Sequence, residues 1–195
     1  MEKAVKEQKN QVFLIGGSAG SLKILLEVLP HLDKNLKFPI VIILHRKRSM
    51  DSPLSDLLKV RSGLEIIEAE EKQKLMPGII YLAPPDYHLL IEKDLSFSLD
   101  FSEKLNYSRP SIDVTFISAS QVYNENTTAL LLSGANADGV EGLFFIKANN
   151  GTTLVQDPKT ADVDYMPLQA ISQVKIDFIL KPPEIVDYIN KLNVQ

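Results

Sequence analysis

Short apolar segments that end at glycine or proline alternate with helix-like repeats at the start of the chain, and this alternation constrains the fold more than any other feature. Val12–Ile15 is continuously apolar and is followed by Gly16 and Gly17, as expected for a strand buried on both faces of a parallel sheet. Leucines at helical spacing follow and stop at Pro30, which predicts a helix. Residues 39–44 repeat the strand pattern, so the chain begins β-α-β.

The next segments predict a short helix and then a different kind of structure. Ser52 and Pro53 form an N-cap followed by a first-turn proline, a combination that opens a helix. Beyond it, Pro-Gly and Pro-Pro-Asp turns separate short apolar runs, which predicts hairpins at one edge of the sheet. These runs are Leu64–Ala69, Ile79–Ala83, His88–Ile91 and Ser96–Leu99.

Alternation resumes in the second half of the chain. The pattern predicts a helix through Val114 and Val122, a strand at Thr128–Leu132, a helix after Gly142, a strand at Thr153–Val155 and a last helix near Pro183. We therefore expect an α/β fold, with a doubly wound, mostly parallel sheet flanked by helices and an antiparallel hairpin at one edge. Such sheets bind ligands outside the carboxyl ends of their strands.

Composition narrows the class of protein. We expect residues 1–10, which are rich in charge, to form a flexible arm, and residues 11–195 to form one domain. The formal net charge of -4 has the wrong sign for binding nucleic acid through its phosphates. The chain has no cysteine and no set of residues at metal-ligand spacing, so no metal or cofactor is expected. Without an apolar segment of bilayer length, we expect a cytoplasmic protein that is not inserted in a membrane.

The first strand leads into Gly16-Gly17-Ser18-Ala19-Gly20, which fits the G-x-S-x-G pattern of a sharp strand-to-helix turn that exposes a nucleophilic serine. A glycine-rich turn with a serine cap explains the same residues. Dinucleotide binding is disfavoured, because the glycines do not have G-x-G-x-x-G spacing and no acidic residue closes the second strand.

Two further polar residues follow predicted strands. His45 ends the second strand, one strand spacing of about 4.8 Å from the first, and a serine needs such a base to become nucleophilic. Asp138 lies in the loop after Leu130–Ser133. Each residue alone has a structural explanation, as a buried histidine or a helix cap. Together, Ser18, His45 and Asp138 are the nucleophile, base and orienting acid of a possible serine hydrolase.

At this point the chain resembles the catalytic domain of CheB, the protein-glutamate methylesterase of bacterial chemotaxis. The resemblance extends over nearly the whole chain. Its blocks are residues 14–20, His45-Arg46, residues 77–84 with Asp86 and His88, and residues 108–113, 132–139, 156–158, 166–167 and 170–171.

The resemblance implies that Ser18 is the nucleophile, His45 the base and Asp138 the orienting acid. It leaves the backbone amides of Ala19 and Ala135 as the oxyanion donors. The implied activity is hydrolysis of glutamate methyl esters on receptors, with release of methanol, and deamidation of receptor glutamines as a second reaction.

The resemblance also suggests partners and substrate contacts. The expected substrates are the cytoplasmic helices of methyl-accepting chemoreceptors, and a sensor kinase or response regulator acting in trans is a further candidate partner. Arg109, Arg46 and Met166 are expected to contact the substrate. His88 is a candidate residue for the rim of the site.

Several residues depart from the family pattern. Ala19 and Ser21 replace a usual Thr and Gly, Ala135-Asn136 replaces a usual Met-Gly, and Ser108 replaces a frequent histidine. Family members commonly carry a receiver domain ahead of the esterase, whereas about ten residues precede the first strand here, so we expect a stand-alone esterase or an excised catalytic domain. An esterase or amidase outside chemotaxis and a catalytically silent receptor-docking module remain alternatives.

Overall fold

A computed structural model of the protein describes residues 10–46 and 54–194. The described strands are β1 (Val12–Gly17), β2 (Ile40–Leu44), β3 (Ile66–Glu68), β4 (Ile80–Leu82), β5 (His88–Ile91), β6 (Phe97–Asp100), β7 (Thr127–Leu131), β8 (Thr152–Gln156) and β9 (Phe178–Leu180). The described helices are α1 (Ser21–Val28), α2 (Leu54–Ser62), α3 (Ile112–Tyr123), α4 (Val140–Ala148), α5 (Tyr165–Gln173) and α6 (Pro182–Leu192).

Seven strands form one parallel sheet in the order β3-β4-β2-β1-β7-β8-β9. Successive residues of β1 belong to opposite core layers: Val12 and Leu14 to one, Phe13 and Ile15 to the other. Helices α3, α4 and α5 contribute to the first layer, whereas α1, α2 and α6 contribute to the second. Because both faces are covered, the central strands are continuously apolar rather than alternating.

The expected fold class is confirmed, with one correction in the middle of the chain. The segments Leu64–Ala69 and Ile79–Ala83 do not form hairpins, since β3 and β4 join the main sheet as parallel strands. Among the strands of the described residues, only β5 and β6 pair as a hairpin, and they make a two-stranded sheet of their own rather than extending an edge. This hairpin rests on α3, where the Thr115 hydroxyl donates to the Leu89 carbonyl at 2.7 Å.

Other differences concern element boundaries. Helix α4 begins at Val140, before the predicted start after Gly142, and the sequence reading did not predict α5 or β9. The predicted cap at Ser52 and Pro53, and nearly all of the predicted arm at residues 1–10, lie outside the described residues. No helix in the described part of the chain is long and apolar enough to span a membrane.

The chain order positions the site. From β1 the chain proceeds to β2 on one side, and β7 later pairs with the other side of β1. The connections on the two sides of the β1–β7 pair therefore run in opposite directions along the sheet. Such a divergence opens a crevice at the carboxyl ends of the strands. Ser18, His45 and the loop after β7 all lie at this crevice.

Candidate active site

Ser18 occupies the tight turn between β1 and α1. Its amide donates to the Ser133 carbonyl at 2.9 Å, and its own carbonyl accepts from the Ser21 hydroxyl at 2.5 Å. A side chain at Gly17 would place its Cβ 2.6 Å from the Ser21 Cβ, and Gly20 has a φ of 85°. The glycines are therefore required for the turn, which leaves Ser18 partly exposed.

His45 follows β2 and lies beside the Ser18 turn. Gly17 pairs with Leu44 in the sheet, and the His45 amide donates to the Gly17 carbonyl at 3.1 Å. The His45 Nε2 lies 2.6 Å from the Asp138 Oδ2. An ionised Asp138 accepts a hydrogen bond from the Nε2–H group of His45. The Nδ1 lone pair is then free to accept a proton, which is the state a general base needs.

Asp138 is completely buried, and hydrogen bonds hold it as a carboxylate. Besides His45, it accepts from the Ser111 hydroxyl at 2.9 Å and from the Ile112 and Asp113 amides at 2.8 and 3.1 Å. These amides begin α3, whose N-terminus favours negative charge. Burial alone would raise the pKa of Asp138, but the hydrogen bonds from His45, Ile112 and Asp113 outweigh it and hold the pKa below its usual value.

Asp113 is a second buried carboxyl that the sequence reading did not assign a role. It accepts from the Gly139 and Gly142 amides at 2.8 and 2.7 Å, so it caps α4 while Asp138 caps α3. Burial and the neighbouring Asp138 charge raise the pKa of Asp113 to about 7. Below neutral pH, the Asp113 and Asp138 carboxyls therefore hold one proton between them. Asp113 carries this shared proton, and Asp138 remains ionised. An aspartate in the first turn after Ser111 was the available sequence signal.

Ser108 is a further residue that sequence reasoning did not place at the site. Its Oγ lies 3.2 Å from the His45 Nδ1 and 3.4 Å from the Asn106 carbonyl. Among the described residues, no hydrogen bond joins the Ser18 hydroxyl to His45. The structure thus brings His45 and Asp138 into contact and places Ser18 alongside. In this state the hydroxyl within reach of Nδ1 is that of Ser108, and catalytic hydrogen bonds often tighten only when substrate binds.

Two backbone amides near Ser18 lack hydrogen-bond acceptors in the described part of the chain. Ala19 and Ala135 are exposed, and within the described residues neither amide has an acceptor. The loop that carries Ala135 lies against the Ser18 turn, because a Cβ on Gly134 would be 3.1 Å from the Ser18 Cβ. Free amides beside a serine are the donors an oxyanion requires.

An open pocket of about 210 Å³ adjoins His45. Its lining residues are His45, Arg46, Asp86, Lys104, Tyr107, Ser108 and Arg109. Arg46 pairs with Glu68, and Arg109 donates to the Phe101 and Ser102 carbonyls at 3.1 and 2.6 Å. The Nε atoms of Arg46 and Arg109 are buried without a partner among the described residues. The lining thus holds three cations, Arg46, Lys104 and Arg109, and one carboxylate, Asp86. The sequence did not lead us to place Lys104 at the site.

Two expectations for the site are wrong. Met166 does not contact substrate, because it is completely buried and lies under the loop after β7, where its Sδ and Cε would clash with any side chain at Gly134. His88 is not a rim residue, since it is 1% exposed. It accepts from the Ser111 amide at 3.1 Å and bonds the Glu103 carbonyl at 2.9 Å, so it fixes the start of α3.

The fold and the geometry at its carboxyl edge define a doubly wound α/β protein with a serine, a histidine–aspartate pair and free amides in one crevice. Comparison with known proteins specifies the family. The family model "CheB methylesterase" matches residues 13–189. A crystal structure of the Thermotoga maritima CheB methylesterase catalytic domain superimposes with a TM-score of 0.90 at 33% identity, covering 94% of this chain and 98% of that one.

Relatives in other organisms agree. A Leptospira interrogans protein, provisionally named protein-glutamate methylesterase/protein-glutamine glutaminase, is 42% identical over 94% of this chain and 95% of its own length. The protein-glutamate methylesterase/protein-glutamine glutaminase of Thermotoga maritima is 33% identical over 93% of this chain and 54% of its own length. The chain belongs to the CheB methylesterase family, and the resemblance seen in the sequence is confirmed.

Proposed function

We propose that this protein hydrolyses methyl esters of glutamate side chains on chemoreceptors and releases methanol, with Ser18, His45 and Asp138 as its catalytic residues. The main support for these three residues is the 2.6 Å contact between His45 and the buried Asp138, beside the turn that exposes Ser18. The names of the family and of its relatives support the reaction.

Acylation begins when Ser18 attacks the ester carbonyl. The His45 Nδ1 accepts the Ser18 proton, while Nε2 keeps its own proton and donates a hydrogen bond to the Asp138 carboxylate. The carbonyl oxygen becomes negative, and the amides of Ala19 and Ala135 donate to it. His45 then returns the proton to the methoxy oxygen, so that methanol leaves and a glutamyl ester of Ser18 remains.

Deacylation repeats the same steps with water as the nucleophile. Water loses a proton to His45 and attacks the acyl carbon. His45 then returns the proton to the Ser18 oxygen as the acyl bond breaks, which regenerates Ser18 and releases the glutamate side chain as a free acid that ionises to the carboxylate. A glutamine side chain in place of the ester yields the same acyl intermediate and releases ammonia. The second half of the relatives' name, protein-glutamine glutaminase, supports this as a further reaction of the same site.

The electrostatics of the site suit this chemistry. When His45 becomes positively charged, the ionised Asp138 lies 2.6 Å from it in a fully buried environment, where the interaction is screened less than in water. The helix N-terminus that holds Asp138 also fixes its orientation. Neither group has to reorganise during the reaction, which is how a preorganised site lowers a barrier.

We place the reaction on the cytoplasmic helices of methyl-accepting chemoreceptors, in the cytoplasm, with residues 11–195 as the catalytic unit. Arg46 and Arg109 line the basic pocket and suit acidic residues near the scissile ester. A sensor kinase or response regulator acting in trans is the proposed regulatory partner.

Methanol release from methylated chemoreceptor fragments tests this function. The protein should release methanol, whereas Ser18→Ala should not. Asn150→Gly is a matched control, because Asn150 is exposed in the loop that precedes β8, at the opposite end of the sheet from the site. Hydrolysis of a generic ester without release from the receptor fragments would assign the site to another substrate.

A further inference from the structure

A tight turn over residues 105–108 forms part of the pocket rim. The Ser108 amide donates to the Leu105 carbonyl at 2.8 Å, and the Leu105 amide donates to the Ser108 carbonyl at 3.2 Å. Between them, Asn106 and Tyr107 have φ angles of 49° and 62°. Two consecutive left-handed residues define a hairpin turn that favours Asn followed by Gly, so tyrosine occupies a position where a side chain is strained.

The rest of the fold does not compensate for this strain. Tyr107 is 99% exposed, and within the described residues its hydroxyl has no hydrogen-bond partner. Yet Tyr107 lines the same pocket as His45, and its neighbour Ser108 contacts the His45 Nδ1. A strained and exposed aromatic residue beside a reactive group is a candidate for a functional role.

Other exposed apolar residues surround Tyr107. Phe101 is 64% exposed and Leu105 48% exposed, while the Arg109 guanidinium stacks 4.0 Å above the Phe101 ring. Lys104 adds a third positive charge to the pocket, beside Arg46 and Arg109. We call Phe101, Lys104, Leu105, Tyr107 and Arg109 the rim surface. Its charged members are the cations Lys104 and Arg109, although the whole chain has a net charge of -4. Asp86 is the acidic side chain that lines the same pocket.

We propose that Tyr107 is a specificity-determining residue that packs against the substrate helix and, with the rim surface, selects an acidic amphipathic helix. The inference rests on the proposed function for its substrate. An acidic helix is the matching occupant because its glutamates complement Lys104 and Arg109, while its apolar stripe covers Tyr107, Leu105 and Phe101. The turn thereby places Tyr107, which contacts the substrate helix in this proposal, next to Ser108, whose hydroxyl contacts His45.

Steady-state kinetics on methylated receptor fragments provide the first test. Tyr107→Gly should raise KM about tenfold with little change in kcat, as expected when an aromatic contact to the substrate is lost, and Tyr107→Phe should have the KM of the parent. The melting temperature of Tyr107→Gly should stay constant or rise by about 2–4 °C, because glycine relieves the left-handed backbone. Asn150→Gly, at a remote residue with a φ of 62°, should match the parent in KM.

An unchanged KM for Tyr107→Gly, in a parent that releases methanol, would overturn the proposal. So would a melting temperature lowered by more than about 4 °C with kcat and KM both impaired, since Tyr107 would then be structural.

The chain contains no tryptophan, which allows a binding test independent of catalysis. Tyr107→Trp in a Ser18→Ala background should show a blue-shifted emission when receptor fragment is added. Phe178→Trp, at a 47% exposed residue on the edge strand β9, should show none. An emission shift at residue 107 in a parent that releases no methanol would refute the proposed function and leave the docking surface intact. No shift at residue 107 would refute the surface.

Discussion

Asp113→Asn tests the buried acidic pair through the pH dependence of stability. In the folded protein the pKa of Asp113 is about 7, against 3.8 for an ordinary aspartate. Between these values the folded state holds a proton that the unfolded state has lost. The free energy of unfolding therefore falls as pH rises from about 4 to about 7, and the full shift of about three units corresponds to about 4 kcal/mol.

The asparagine variant removes this dependence while keeping the cap. Its Oδ1 still accepts from Gly139 and Gly142, which contact the Asp113 Oδ1 at 2.8 and 2.7 Å, and its amide stays neutral at every pH. From about pH 5 to about pH 8, the parent should lose about 2–3 kcal/mol more stability than the variant. Titrating groups remote from the Asp113–Asp138 pair contribute equally to both proteins and cancel in the difference.

Urea unfolding followed by circular dichroism at several pH values measures this difference. Asp113→Ala is the control, because it removes the cap as well and should be less stable than Asp113→Asn at every pH. Parallel stability curves for the parent and Asp113→Asn would show that Asp113 is ionised throughout, and would refute the shared proton.

Three further substitutions test the site. Asp138→Asn should lower kcat by roughly 10⁴, as for the orienting acid of serine proteases. A loss of kcat below about tenfold would show that Asp138 acts only as a helix cap. Ser108→Ala should retain activity within about tenfold, whereas a loss as complete as that of Ser18→Ala would make Ser108 the nucleophile. Gly134→Ala should lower the melting temperature, because its Cβ would lie 2.4 Å from the Met166 Cε, at a cost of about 1–3 kcal/mol; thermal unfolding identical to the parent would contradict this packing.

The parallel sheet could be predicted because its central strands are buried on both faces. Val12–Ile15 and residues 40–44 are continuously apolar for that reason, and glycine or proline marks their ends. The partners of the short strands could not be predicted. Three residues of β3 or β4 carry too little pattern to distinguish a hairpin from a parallel strand, and β9 pairs at an edge where Phe178 and Ile179 are about half exposed.

The sequence predicts which residues lie near each other where they follow neighbouring central strands, but not where long-range contacts decide. Ser18 and His45 are adjacent because their strands pair in the sheet. By contrast, Asp113 caps a helix 26 residues away, and Ser108 reaches His45 across a separation of 63 residues. Met166 and His88 were misassigned because the sequence does not reveal which polar or flexible residue the fold buries.

Methylesterase activity with Ser18 as the nucleophile is the main proposal for this protein. Its most direct test measures methanol released from methylated chemoreceptor cytoplasmic fragments near neutral pH, by the parent and by a folded Ser18→Ala variant. We expect sustained release by the parent and none by the variant. Equal release by both proteins, or none by the parent, would contradict it.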